Sequence, residues 1–191
     1  LNGVGAKCVN ALSDSFIAEV SREGEVHQMK FSRGEVTQSI KVIGKTKRTG
    51  TKITFHPDPE IFVATQEFKY DTIVRRMREL AFLVPGITVE MKDQRSNRAD
   101  KFEFKDGIAE YVSFLNANEE RLFDKPILIS AEVDFTDLSN PRVMADGEKP
   151  KPGQRRMTLD VALQYNDRYD EMVFSYANLI NQPEGGTHLS G

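Results

Sequence analysis

Alternation of apolar and polar residues dominates the first third of the chain. Phe16, Ala18 and Val20 alternate with polar neighbours over Ser15–Arg22, and Glu25–Ser32 continues beyond the tight Glu23-Gly24 turn, which is the pattern of a β-hairpin. Ser39–Ile43 and Thr51–Phe55 predict two further strands, punctuated by Gly44 and Thr49-Gly50, and the four together predict an antiparallel meander. The period then changes. Between Phe68 and Val84 the residues Tyr70, Ile73, Val74, Met77, Leu80, Ala81 and Val84 recur at helical spacing, with Arg75, Arg76, Arg78 and Glu79 mostly on the other face, until Pro85-Gly86 stops the pattern. Ile87–Lys92 and Lys101–Phe104 predict strands around the polar turn Asp93–Asp100, and Gly107–Asn116 predicts a helix. Composition shifts at Asn116–Asp124, where a domain boundary is expected, giving domains 1–116 and 117–191. Beyond it Pro126–Phe135, Thr158–Tyr165 and Glu171–Asn178 predict strands, the last two forming a hairpin across Asn166-Asp167. The Pro-, Gly-, Asp- and Lys-rich stretch 136–157 has no periodicity and is expected to be an exposed, mobile loop.

The opening Leu1–Ser13 stretch is a glycine turn running into a helical pattern. Gly3 and Gly5 let backbone N–H groups approach a ligand closely, and the positive end of the following helix points at the same spot, an arrangement that suits a phosphate. The same two glycines would also serve a plain turn into a helix, so the motif alone leaves both readings open. The chain starts inside this motif and without Met, so it is expected to be a piece of a larger nucleotide-binding protein.

Composition narrows the classes. With 191 residues, 39 % hydrophobic and 29 % charged, the chain has an ordinary globular balance, and a net charge of −3 gives no overall electrostatic footprint for nucleic acid. The single cysteine, Cys8, excludes an intrachain disulfide; it is expected to be a small buried residue on a helix face, and a reducing cytosol fits it. No apolar run is long enough to span a membrane, so a cytoplasmic location and no membrane partner are expected. His27, His56 and His188 are too far apart to suggest a metal site. Arg75, Arg76 and Arg78 read as a solvated helix face with pairs such as Arg75–Glu79, Asn10 reads as structural, and Lys149–Pro152 as a mobile basic tip.

Five motifs in register, L-N-G-V-G-A-K-C-V-N-A-L-S at 1–13, R-T-G-T at 48–51, R-R-M-R-E-L-A-F-L at 75–83, V-A-L-Q-Y-N-D at 161–167 and E-G-G-T-H-L-S-G at 184–191, resemble the ATPase region of the DNA gyrase B family. The topoisomerase IV ATPase subunit is closely similar and stays open as an alternative, as does a non-catalytic binding module. The resemblance implies an α+β fold, with the second half of a GHKL ATP-binding α/β sandwich followed by the start of a ribosomal-protein-S5-like transducer domain. It implies that Leu1, Asn2, Gly3, Val4, Gly5, Ala6 and Lys7 form the ATP lid and helix start, with Asn2 where the family usually has His. Thr51 would help fix the adenine, and Arg22 would sit at the pocket rim. The glutamate base, the asparagine that holds Mg²⁺ and the aspartate that reads adenine would precede Leu1, and the lysine at the γ-phosphate would follow Gly191. The chain by itself is therefore expected to show no ATP turnover above background in a coupled assay. In the parent, ATP would dimerise the ATPase domains and drive DNA strand passage and negative supercoiling, with a gyrase A-type subunit in an A2B2 assembly.

Overall fold

The computed structural model describes residues 4–137, 139–145, 147–149, 151–183 and 185. Contacts divide the chain into two units, Leu1–Phe68 and Lys69–Gly191, each described by itself.

The first unit contains α1 (Gly5–Ala11) and four strands, β1 (Ser13–Arg22), β2 (Glu25–Ser32), β3 (Glu35–Lys45) and β4 (Gly50–Pro57). Two-residue turns at Glu23-Gly24 and Arg33-Gly34 join the first three strands. All four turn residues have positive φ, which is the primed turn that matches strand twist. The sheet order is β3-β2-β1-β4, so the expected meander is corrected: the fourth strand crosses over and pairs with β1. The crossing segment is tied at the β1–β2 turn by the Thr46 N–H, which donates to the Gly24 carbonyl at 2.9 Å. β3 meets β2 with three register irregularities, which make its outer edge a poor template, whereas β1 and β4 pair with a single shift near Ser13. The register puts Phe55, Ile53 and Thr51 opposite Phe16, Ala18 and Val20, so the apolar alternation of β4 extends one sheet face. The opposite face is polar, with Gln28 donating to Glu19 at 3.0 Å, Gln38 to Gln28 at 3.2 Å, and Lys52 paired with Glu19 at 3.2 Å.

The second unit contains α2 (Tyr70–Leu83), β5 (Thr88–Asp93), β6 (Arg98–Glu103), α3 (Ile108–Leu115), β7 (Ile127–Asp134), β8 (Arg142–Val143), β9 (Arg156–Leu163), β10 (Tyr176–Ala177) and β11 (Ile180–Asn181). Its core gathers Tyr70, Val74, Ala81 and Phe102, with Met77, Val89, Met91 and Phe104 packed against them. Phe82, buried as well, stacks on Phe104 at 3.6 Å and on Tyr111 at 5.0 Å between ring centroids. Gly107 caps the start of α3 at φ +57°, and Glu110 accepts from the N–H groups of Lys105 and Asp106 at 2.7 and 2.8 Å.

Glu171–Asn178 does not pair with β9. The whole length of β9 pairs with β7, and the Asn166-Asp167 turn is engaged by residues 120–122, through Asp167 N–H to the Glu120 carbonyl and Leu122 N–H to the Tyr165 carbonyl, both 3.0 Å. The short hairpin β10–β11 forms instead, turning at Asn178 and Leu179. The stretch 136–157 contributes a third strand to the β8-β7-β9 sheet, and Met144 is buried, its N–H donating to the Glu132 carbonyl at 2.8 Å. The arginines of α2 are also not a purely solvated face. Arg76 pairs with Glu79 and donates to the Leu179 carbonyl at 2.8 Å, and Arg78 lies 5.1 and 5.2 Å from the ring centroids of Phe102 and Phe114. Among the described residues no helix is long and apolar enough to cross a membrane.

Candidate nucleotide site

The N-terminal end of α1 is chemically bare. Val4 occupies the cap position without a side-chain cap, and no acidic residue lies in the first turn. The first intrahelical bond runs from the Cys8 N–H to the Val4 carbonyl at 2.9 Å, so the amides of Gly5, Ala6 and Lys7 precede it. Lys7 places a cation where the helix dipole is already positive, an arrangement that costs the bare helix about 0.3–1 kcal/mol and becomes favourable beside an anion. A Cβ on Gly5 would meet nothing within 4 Å and its φ is not positive, so its service is open approach to the backbone rather than an unusual dihedral. Leu1, Asn2 and Gly3 lie outside the described residues.

The other end of α1 is fastened. The Leu12 carbonyl accepts from the Asp58 N–H at 3.0 Å, the Ser13 carbonyl from the Arg33 N–H at 2.7 Å, and the Ser13 hydroxyl donates to the Val9 carbonyl at 2.6 Å. Asp58, 1 % exposed, meets the Arg33 guanidinium at 2.6 and 3.2 Å, and Arg33 reaches Glu60 at 2.6 Å. The Glu60 N–H, at 3.0 Å, and the Arg33 guanidinium hold the Asp58 carboxyl below the usual carboxylate range against the opposing effect of burial. The carboxylates of Glu60 and Asp58 in turn raise the pKa of Arg33. Local sequence pattern does not place this cluster; its one signal is an aspartate between two prolines, Pro57-Asp58-Pro59, at a strand exit.

Thr51 and Arg22 occupy the opposite end of the sheet. Thr51 is opposite Val20, and Arg22, two residues beyond Val20, falls on the same face. Arg22 is exposed and paired with Glu23 at 3.1 Å. From the Ser13–Pro57 pair to the Ser21–Gly50 pair β1 advances eight residues, roughly 26 Å at about 3.3 Å per residue. Val20, opposite Thr51, and Ile53, next inward from Thr51 on the same face, are half-exposed. Near the α1 end of the same face a cavity of about 200 Å³ is lined by Val9, Leu12, Phe55, Phe62 and Phe68. The C-terminal end of α1 is thus fastened at one end of β1, and the Thr51 hydroxyl and Arg22 lie toward the other end of that strand.

Cys8 is exposed, not buried as expected, because α1 buries no residue and Cys8 faces outward. The buried Oδ1 of Asn10 has no hydrogen-bond partner among the described residues. The V-A-L-Q-Y-N-D motif is structural: Gln164 accepts from Asn116 at 3.0 Å and donates to the Phe123 carbonyl at 2.8 Å, Asn166 donates to Asn116 at 2.8 Å, and Tyr165 points outward. Of the G-G-T-H stretch only Gly185 is described, and residues 186–188 lie outside.

Three comparisons bear on this geometry. The family model described as DNA gyrase B matches residues 107–191. Along its whole length the chain is 42 % identical to the DNA gyrase B protein of Clostridium acetobutylicum and 44 % identical to that of Halalkalibacterium halodurans, spanning 27 % of each relative. The crystal structure of the 43K ATPase domain of Thermus thermophilus gyrase B, solved with an aminocoumarin, superposes with a TM-score of 0.77 at 36 % identity, over 99 % of this chain and 46 % of that one. With the α+β architecture shared as well, the chain is similar along its whole length to DNA gyrase B proteins.

Proposed function

We propose that the chain is part of the ATP-binding and transducing region of a type IIA DNA topoisomerase of the gyrase B kind. The observation that carries this is the match to gyrase B relatives along all of the chain, including its superposition on a gyrase B ATPase domain. The bare amides of Gly5, Ala6 and Lys7 suit the nucleotide's phosphates, and the Lys7 ammonium adds charge neutralisation. Leu1, Asn2, Gly3 and Val4 complete the lid in this reading, Thr51 fixes the adenine, and Arg22 lines the rim, where an aminocoumarin would also make contact. Residues 1–116 belong to the GHKL sandwich and 117–191 to the transducer; the family model's start at residue 107 supports a division in that region.

Among the described residues no group of three or more His, Cys, Asp or Glu could hold a metal ion, and these residues do not fit the Mg²⁺ of the reaction. What this chain supplies is binding and orientation. Nucleotide contacts that exist only with the lid ordered favour a closed state, and dimerisation of the ATPase domains around a DNA segment is the proposed consequence.

The test uses the full gene product with a gyrase A-type partner, assembled as A2B2. ATP-dependent dimerisation and ATP-dependent negative supercoiling are expected. Decatenation without supercoiling would assign the topoisomerase IV role instead, and a complex that binds no ATP and acts on no DNA would leave only a binding module.

A further inference from the structure

We infer that Asp58 is a positioning residue for the nucleotide site, acting through Arg33 and the α1–β1 junction; the inference rests on the reading proposed above. One buried aspartate joins the end of α1, the exit of β4 and the β2–β3 turn. Its backbone N–H holds the Leu12 carbonyl at the end of α1, its Oδ1 accepts the Glu60 N–H beyond β4, and its two oxygens meet the Arg33 guanidinium from the β2–β3 turn. Arg33 closes the circuit, since its own N–H holds the Ser13 carbonyl, and Ser13 is 1 % exposed. α1 has no buried residue, so packing does little to aim it; polar bonds at its C-terminal end fix its direction. Arg33 stands at φ +51°, a conformation that costs a non-glycine residue free energy, and the bonds at both its N–H and its guanidinium hold it there. The staple therefore acts on one hinge, Leu12–Ser13, and through it on where the amides of Gly5, Ala6 and Lys7 point.

The test is made in the full gene product. Asp58→Asn keeps an oxygen for the Glu60 N–H and removes the charge that Arg33 meets. The dissociation constant for a non-hydrolysable ATP analogue is expected to rise on the order of tenfold, the worth of about one hydrogen bond to a charged group. Amide exchange at Cys8 and Leu12 should quicken while the β1–β2 amides keep their protection. Arg33→Lys, which keeps the cation but loses the fork, should fall between wild type and Asp58→Asn on both readouts. Phe82→Leu is the control for general destabilisation, and it should lower the melting temperature with nucleotide affinity unchanged. Wild-type affinity in Asp58→Asn, or an equal loss in Phe82→Leu, overturns the inference. A wild-type protein that binds no analogue defeats the functional reading instead, and the exchange measurement still decides the staple: unchanged exchange at Cys8 and Leu12 in Asp58→Asn sinks it.

Discussion

Single residues show where this chain trades stability for shape. Lys7 in the first turn of α1 works against the helix dipole, and no acidic residue offsets it. Lys7→Glu is therefore expected to stabilise the protein by about 0.3–1 kcal/mol in thermal melts and to weaken nucleotide binding, opposite signs that a lysine of purely structural value would not give. Gly107 is a sharper case. It sits at φ +57°, and an added Cβ would come within 2.7 Å of the Pro85 Cγ. Gly107→Ala should cost about 1–3 kcal/mol in denaturant unfolding, through backbone strain plus overpacking; a loss below about 0.5 kcal/mol would mean the turn at Pro85 relaxes freely. Phe82→Ala should cost more, about 3–5 kcal/mol, because the ring is buried among Phe104, Tyr111 and Phe114. Asp58 sets a pH dependence: its carboxyl titrates lower in the fold than in the unfolded chain, so the stability it contributes is complete above about pH 4 and is lost as the pH falls through the folded value.

At the scale of elements, long periodic segments were legible in the sequence and pairings were not. The α2 stripe and the β1–β2 hairpin follow from local spacing and a turn dipeptide, and both occur where expected. Which strand β4 joins depends on the edges left by the other strands, and no local pattern records the irregularities along β3. The β9 partner is not legible for a similar reason, since Asn166-Asp167 has hairpin chemistry but is captured by residues 120–122. In the candidate site, the Gly3–Lys7 motif was visible, whereas the Arg33–Asp58 staple joins residues 25 positions apart and left only a Pro-Asp-Pro signal. The stretch 136–157 looked structureless because β8 is two residues long and is held by side chains instead of periodicity. Arg142 donates to Glu148 at 2.8 and 2.9 Å, and Gln154 to Asp134 at 2.6 Å. Arg142 lowers the Glu148 pKa to about 2, and hydrogen bonds from Gln154 and Thr136 lower that of Asp134 to about 2. Both pKa values are depressed in the fold, so these contacts stabilise β8 above about pH 4.5 and weaken as the pH falls toward 2. The Met144 amide, protected at pH 6, should lose much of its intrinsic-rate-corrected protection at pH 3, while the amides between β7 and β9 keep theirs.

Over the whole molecule, the distribution of apolar surface governs behaviour in solution. In the first unit Val36, Ile40 and Val42 are at least half exposed along β3, whose outer edge pairs with no strand among the described residues. In the second unit the register of β7 with β9 puts Ile127, Ile129, Val161 and Leu159 on one face, and all four are exposed. Faces of this kind on a lone polypeptide drive association, and a net charge of only −3 opposes it weakly. A polypeptide of these 191 residues is therefore expected to self-associate at micromolar concentration and to bind a dye that reports apolar surface. Ile40→Lys on the exposed edge should shift sedimentation toward monomer with less than about 0.5 kcal/mol change in stability, since the side chain is 67 % exposed and contributes little burial. Ile129→Lys should have the same sign on the second face, and the double variant should move further than either alone. A single monomeric boundary for the unsubstituted chain at tens of micromolar would show that these faces are covered in solution, and the substitutions would then lower stability instead of changing association.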